Sequence, residues 1–162
     1  GITLGLRDML DGEFEMNEQY TNAGGWDKSK MRNVYMPRFL KLLSADLQAV
    51  IKTVDKKTGA GGGSNKLITS QDKLFLFSQK EVINDDTYTA GGEGKQYPYF
   101  EDEGNCVKKR GGSAYTWWLR SPYTGNSYNF RNINSSGNVN NNNANNTYGV
   151  SFGFCAYNMG LT

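Results

Sequence analysis

The chain of 162 residues contains no histidine. Without an imidazole it cannot form a Ser-His-Asp or Cys-His catalytic group, and it has no histidine general base or metal ligand. Acidic residues are also missing after Glu103, and only five basic side chains carry charge from residue 104 onward. Five scattered cations are too few for a groove that follows phosphates, so the sequence predicts no nucleic-acid partner.

Long apolar runs and cysteine motifs are missing as well. No apolar stretch approaches the ~20 residues that span a bilayer, which predicts no membrane insertion. Cys106 and Cys155 match no zinc or redox motif, and the apolar run around Cys155 favours a buried free thiol over a disulfide. The glycine-rich segment 59–65 lacks a phosphate-binding motif and is expected to be a surface loop. We therefore expect no metal and no cofactor.

The length and composition fit one globular domain. Hydrophobic residues make up 37% of the chain and aromatic residues 13%, which is typical of a folded protein rather than a disordered one. We interpret residues 1–162 as a single domain. The chain begins Gly-Ile-Thr-Leu, with no initiator Met and no visible signal peptide, which is consistent with the C-terminal domain of a longer protein.

Helical patterns occur in the first half of the chain. Residues 27–51 carry apolar side chains at helical spacing, and Pro37 is expected to divide them into two helices. Ser44 is a predicted N-cap for a further short helical turn that ends near Ile51. After a buried strand in residues 73–78, Ser78 and Glu81 have the spacing of a capping box.

Strand patterns dominate the last third. Residues 116–122, 126–134 and 149–157 read as short strands, with a turn at Gly137. An aromatic turn over residues 96–103 is expected to pack on the core. The order of these elements predicts an α+β fold in which short helices pack on small, mainly antiparallel sheets with a long loop-rich C-terminal region.

Asparagine is in excess. Of 18 asparagines, 11 lie between Asn126 and Asn146, interrupted by apolar residues such as Phe130 and Ile133. One interpretation is structural, because asparagine tolerates left-handed backbone and bonds to nearby peptide groups in turns. The other is functional, because the segment 123–129, Tyr-Thr-Gly-Asn-Ser-Tyr-Asn, has the composition of an antibody paratope. The residues alone leave both open.

Three features together resemble a known family. They are Trp-Trp-Leu-Arg-Ser-Pro at 117–122, the asparagine block at 135–150 and the run Phe-Gly-Phe-Cys at 152–155. With these features the chain resembles the variable proteins of diversity-generating retroelements from bacteria and phages. Those proteins carry a C-type-lectin-like domain related to formylglycine-generating enzymes. Weaker similarity upstream extends the resemblance to roughly residues 24–157.

The resemblance implies a C-type-lectin-like fold whose region at about 120–148 is diversified by adenine-directed mutagenesis. An asparagine codon can be converted in this way to codons for Tyr, Ser, Thr, Gly or Asp, but never to a stop codon. The implied ligand-binding residues are the solvent-exposed positions of this region, namely Tyr123, Thr124, Asn126, Ser127, Tyr128, Asn129, Asn132, Asn134, Asn138, Asn140, Asn141, Asn142, Asn143, Asn145 and Asn146. The implied constant core beneath them consists of Trp117, Trp118, Leu119, Phe130, Ile133, Val139, Val150, Phe152 and Phe154.

The implied activity is binding without catalysis, by a monomeric module. Its ligand would be a protein or glycan on a target cell surface, and its location a phage virion or the bacterial cell surface. Arg120 is expected to brace the fold through an ion pair with an upstream acid. Arg131 is the only charged residue in the tract. Its role is open, because it could contact the ligand at the rim of the site or support the scaffold.

Two other functions are weighed beside this one. The first is an adhesion or cell-surface module with a fixed ligand. The second is an oxidase related to the formylglycine-generating enzymes, which would need reactive thiols or copper. The paired cysteines of those enzymes are not reproduced, and the calcium and sugar motifs of animal C-type lectins are absent.

Overall fold

The computed structural model describes residues 1–157 and shows short helices packed on small antiparallel sheets, as the sequence predicts. The helices are a π-helical turn (Met31–Tyr35), α1 (Met36–Leu42), α2 (Ala45–Val50), α3 (Gln79–Ile83) and two 3-10 turns (Pro98–Glu101 and Glu103–Cys106). The strands are β1 (Ile2–Gly5), β2 (Phe14–Glu15), β3 (Ile51–Lys52), β4 (Val54–Gly59), β5 (Leu67–Asp72), β6 (Leu74–Leu76), β7 (Lys109–Arg110), β8 (Ser113–Ala114), β9 (Trp117–Pro122), β10 (Asn129–Ile133), β11 (Val139–Asn143), β12 (Thr147–Tyr148) and β13 (Phe152–Ala156).

Strand β13 is the central strand of the largest sheet. It pairs antiparallel with β1, β3 and β6, so the strand predicted at the end of the chain joins elements from the start and the middle. Its Phe152 and Phe154 side chains are buried in the core. The fold of the described chain is therefore closed by contacts between residues far apart in sequence.

A second sheet has three strands in the order β11–β10–β9. Strand β10 lies in the middle, pairs antiparallel with both neighbours and is buried along its whole length. The β10–β11 hairpin turns at Gly137, whose φ of +84° suits glycine, and this confirms the predicted turn. Strand β11 lies at the edge of this sheet.

The helical prediction needs one correction. Pro37 does not divide the segment, because it occupies the first turn of α1 and the π-helical turn runs directly into that helix. A proline is tolerated there because its missing N–H has no partner in the first turn. The helices are separated instead at Leu43, after which Ser44 caps α2 as predicted, accepting a hydrogen bond from the Leu47 N–H.

The local predictions around α3 and the core are confirmed. Ser78 and Glu81 form both bonds of the capping box. The 3-10 turn Pro98–Glu101 packs Phe100 into the core, and the predicted core residues are buried, except that Val139 is only half-buried. Cys106 and Cys155 are both buried and unpaired with one another, as the sequence favours.

No helix within residues 1–157 has the length and apolar character needed to cross a membrane.

Candidate ligand-binding surface

Arg120, in β9, ties the three-stranded sheet to the rest of the domain. Its guanidinium is fully buried and donates to both carboxylate oxygens of Glu81, at 2.6 and 3.0 Å. The same group also donates to the Thr58 hydroxyl at 2.9 Å and to three backbone carbonyls. The predicted ion pair with an upstream acid is thus confirmed, and Glu81 of the capping box is that acid.

Arg120 and Lys56 both form ion pairs with Glu81. Burial disfavours ionisation of Glu81, but the charges of Arg120 and Lys56 and the hydrogen bonds to the carboxylate outweigh it and hold the pKa of Glu81 below its ordinary value. Burial raises the pKa of the neighbouring Glu93, whose carboxyl group accepts bonds from the Ser121 hydroxyl and the Gly59 N–H. Strand β9 therefore rests on a fully bonded polar network.

Asn22 fixes the loop that follows β9. Its side-chain amide donates to the carbonyl oxygens of Tyr123, Asn126 and Asn129, at 3.2, 3.2 and 2.8 Å. Its side-chain oxygen accepts from the Gly62 N–H at 2.8 Å. One buried asparagine thus joins the loop 123–129 to the glycine-rich loop, although it lies about a hundred residues earlier in the chain.

The glycine-rich loop connects β4 and β5, and part of it is buried. Gly61, with a φ of +70°, lies so close to the backbone of Asn22 that a Cβ there would be 1.8 Å from the Asn22 carbonyl oxygen. The prediction of a surface loop holds for Gly62 and Gly63, which are exposed, and is wrong for Gly59 and Gly61. The glycines allow the hairpin tip to pack against the segment that carries Asn22.

Two pairs of tyrosines flank the loop 123–129. Tyr128 stacks on Tyr20, with ring centroids 4.5 Å apart and planes 15° from parallel. Tyr123 meets Tyr88 edge to face, with centroids 5.2 Å apart. Tyr20 and Tyr88 are exposed and lie outside the asparagine tract, and neither is among the residues predicted from the sequence. Each lies in a turn-rich segment, which is the one signal that the sequence offers.

Tyr88 has an unusual backbone. Its φ is +60°, a left-handed value that is costly for a bulky side chain. Its carbonyl oxygen accepts from the Thr124 N–H at 2.9 Å, which holds the two tyrosine-bearing turns together. The turn that carries Tyr88 therefore holds some local backbone strain.

Arg131 lies beneath the Tyr88–Tyr123 pair. Its side chain is buried, and its charged carbon is 5.6 and 5.4 Å from the two ring centroids. It donates to the side-chain oxygens of Gln79 and Asn141, at 2.6 and 3.0 Å. Burial lowers the pKa of the guanidinium, and no carboxylate within residues 1–157 forms an ion pair with it. Of the two roles left open for Arg131, its position matches that of a scaffold residue that supports the tyrosines.

Several asparagines bond to neighbouring backbone. The side-chain oxygen of Asn126 accepts from the N–H groups of Tyr128 and Asn129, and that of Asn134 accepts from Ser136 and Asn138. These are the turn-forming bonds that the structural interpretation of the tract predicts.

The edge strand β11 uses the same device. The side-chain oxygens of Asn140 and Asn142 accept from the N–H groups of Asn141 and Asn143, at 2.8 and 3.1 Å. An unpaired strand edge invites association with other strands. In the edge strand β11, two backbone N–H groups thus donate to asparagine side chains.

The predicted binding residues divide by exposure. Asn129 and Asn132 were expected at the surface, and this is wrong, because they lie on the middle strand and are only 7% and 2% exposed. The Asn129 side-chain oxygen and the Asn132 side-chain nitrogen have no hydrogen-bond partner among the described residues. The exposed or half-exposed members are Tyr123, Thr124, Asn126, Ser127, Tyr128, Asn134, Asn138, Asn140, Asn141, Asn142, Asn143, Asn145 and Asn146. With Tyr20 and Tyr88 they form what we call the tyrosine–asparagine surface.

The described chain is a small α+β fold in which the three-stranded sheet and neighbouring loops carry exposed amides and tyrosines. The family described as "Domain of unknown function (DUF6273)" matches residues 1–155, and the chain belongs to that family. No curated protein and no solved structure matches the chain.

Proposed function

We propose that the chain is a ligand-binding module with a C-type-lectin-like fold, of the kind diversified by retroelements. In this proposal the region at about 120–148 is varied by adenine-directed mutagenesis, and its exposed side chains contact a protein or glycan on a target cell. The module would act from a phage virion or a bacterial surface, by binding rather than by catalysis.

The observation that carries the proposal is that the exposed side chains of the tract lie on different elements from the buried side chains that hold the fold. The exposed side chains of the asparagine tract lie on an edge strand and on loops, whereas the other two strands of the same sheet are buried. Exchange of an exposed asparagine such as Asn140 or Asn145 removes no core contact. A region with this construction can vary in sequence while the fold stays constant.

The surface also has suitable anchors for recognition. Tyrosine is enriched among residues that dominate binding energy, and rigid side chains lose little entropy on binding. Tyr123 and Tyr128 are held by their ring partners, and Asn22 holds the backbone between them. We therefore expect these two tyrosines to supply most of the affinity.

One observation favours a fixed-ligand adhesion module instead. Asn126, Asn134, Asn140 and Asn142 each bond to neighbouring backbone, which is a structural use of asparagine that variation would remove. The two candidates differ in what they predict for the coding DNA.

Sequencing the coding locus in several isolates distinguishes them. The proposal predicts a nearby repeat, next to a reverse transcriptase gene, that is almost identical to the DNA for residues 120–148. The copies should differ only at adenines of the template, and changes should concentrate at exposed positions. A locus without such a repeat would favour the fixed-ligand module.

A binding measurement tests the site itself. The wild-type chain would be applied to a printed glycan array and to a panel of bacterial cells. Tyr123→Ala combined with Tyr128→Ala should reduce any binding at least about tenfold, since two anchor residues are removed. Tyr157→Ala is the matched control, because Tyr157 is exposed and lies outside the tract. Unchanged binding by the double variant would show that the site is misassigned.

A further inference from the structure

A cavity lies away from the tyrosine–asparagine surface. It has a volume of about 560 Å³ and is formed by β1, the residues that follow it, the turn that begins at Tyr97 and Lys108. We call it the N-terminal cleft. This volume falls in the range of small-molecule sites, which is ~300–1,000 Å³. None of its lining residues belongs to the region at 120–148.

One part of the cleft wall is aromatic. Phe77 packs edge to face against Tyr97 and Phe100, with centroids 5.6 and 5.3 Å apart, and Tyr99 packs against Phe100 at 5.2 Å. Leu4, which is exposed, lines the cleft beside them. Such walls suit a flat, apolar group that can lie against ring faces or edges.

The charge of the lining has one sign. Arg7 and Lys108 contribute to it, and no Asp or Glu does. Lys108 is only 1% exposed, and its ammonium donates to the carbonyl oxygens of Leu6 and Arg7, at 2.6 and 2.9 Å. No carboxylate among the described residues forms an ion pair with it. The cleft thus holds a buried cation without a counter-ion.

Burial disfavours the charged form of Lys108. Burial lowers the pKa of Lys108 to about 8, a shift that the more distant carboxylate of Asp8 opposes without cancelling. The ring of Trp117 lies 5.2 Å from the ammonium and offers a weaker cation–π contact. The ammonium therefore has two carbonyl oxygens and nearby rings as partners, but no anion, and an anion is the partner that best offsets the burial of a positive charge.

We propose that the N-terminal cleft binds a small aromatic carboxylate, whose ring lies among the aromatic walls and whose carboxylate pairs with Lys108, assisted by Arg7. The anion supplies the charge partner that the protein itself lacks. This proposal is independent of the function proposed for the tyrosine–asparagine surface.

Titration of the full chain with phenylacetate, followed by amide NMR, tests the cleft. We expect a dissociation constant below about 1 mM, with shifts confined to residues 3–7, 77, 97–100 and 105–108. Phenylacetamide has the same shape without the charge and should bind at least about tenfold more weakly. Equal affinity for the two probes, or no cleft-specific shifts with phenylacetate, would overturn the proposal.

Two variants locate the charge partner. Arg7→Gln changes an exposed side chain and should weaken phenylacetate binding a few-fold, whereas Lys41→Gln, an exposed lysine elsewhere, should leave it unchanged. Lys108→Met should remove most of the preference for the carboxylate over the amide, leaving the few-fold part that Arg7 supplies. An unchanged preference in a folded Lys108→Met protein would contradict the proposal.

A side-chain measurement on the wild-type protein covers the case in which Lys108→Met does not fold. The pKa of Lys108, followed by NMR of its Cε carbon, should rise when phenylacetate binds and stay constant with phenylacetamide. The other titratable groups around the ammonium are Asp8, Cys106, Arg7, Tyr97 and Tyr99. A Lys108 pKa that does not respond to saturating phenylacetate would show that the carboxylate does not pair with it.

Discussion

Strands β9 and β11 flank the same middle strand, yet they are held in different ways. Every residue of β9 is buried, and its Arg120 reaches partners 27 to 63 residues away in sequence. Strand β11 has no buried residue, and two of its asparagines bond to the backbone of the next residue. One strand depends on the whole domain and the other mainly on its own hairpin.

Substitutions in the two strands should therefore differ in their effect on the fold. A substitution in β9 breaks contacts with several other elements at once. A substitution of an exposed side chain in β11 disturbs bonds that water or a neighbouring backbone group can replace. The contrast gives three predictions on stability.

The largest loss is expected at the centre of β9. Arg120→Met should lower the free energy of unfolding by about 3–5 kcal/mol, because it leaves the buried carboxylate of Glu81 without its main partner. Urea unfolding followed by circular dichroism measures the change. Arg110→Met removes a more exposed ion pair with Glu13 and should cost no more than about 1 kcal/mol. Similar losses for the two variants would contradict the contrast.

A smaller loss is expected where Asn22 fastens the loop 123–129. Asn22→Ala should cost about 2–3 kcal/mol, because three carbonyls lose a side-chain donor in a part-buried site. Hydrogen exchange should increase in residues 123–129 and 60–63. The control is Asn65→Ala in the exposed part of the glycine-rich loop. Equal stability and exchange in the Asn22 and Asn65 variants would show that Asn22 does not fasten the loop.

The features that the sequence predicts correctly are local ones, which depend on residues close together in the chain. The capping box at Ser78, the cap at Ser44 and the turn at Gly137 each depend on a few adjacent positions. An acidic partner for Arg120 could be predicted, because burying an unpaired charge is costly. Which acid it is, Glu81, is known only from the structure.

The features missed are long-range. The contacts of Asn22, Tyr20 and Tyr88 join segments 35 to 108 residues apart, and no local pattern marks them. The burial of Asn129 and Asn132 depends on β10 being the middle strand, which is a matter of pairing and register. The sequence therefore places the tyrosine–asparagine surface within the tract, but it does not reveal that Tyr20 and Tyr88 join this surface or that Asn129 and Asn132 are buried.

The smallest effect is expected on β11 and its loops. Asn138→Tyr, Asn140→Tyr and Asn145→Tyr each change an exposed side chain and should alter the free energy of unfolding by no more than about 0.5 kcal/mol. Phe130→Ala on the adjacent strand is the buried contrast and should cost about 3–5 kcal/mol. Losses above about 1.5 kcal/mol for the exposed positions would mean that the asparagines are structural, and the contrast between the strands would fail.

The pairing of β1 with β13 has a mechanical consequence. Ile2 lies opposite Ala156, so the two ends of the described chain leave the sheet side by side. A force that pulls these ends apart loads the backbone hydrogen bonds between the two strands one after another rather than together. Strand β1 should therefore peel away at low force, and because it forms one wall of the N-terminal cleft, tension would open that cleft before it disturbs the three-stranded sheet.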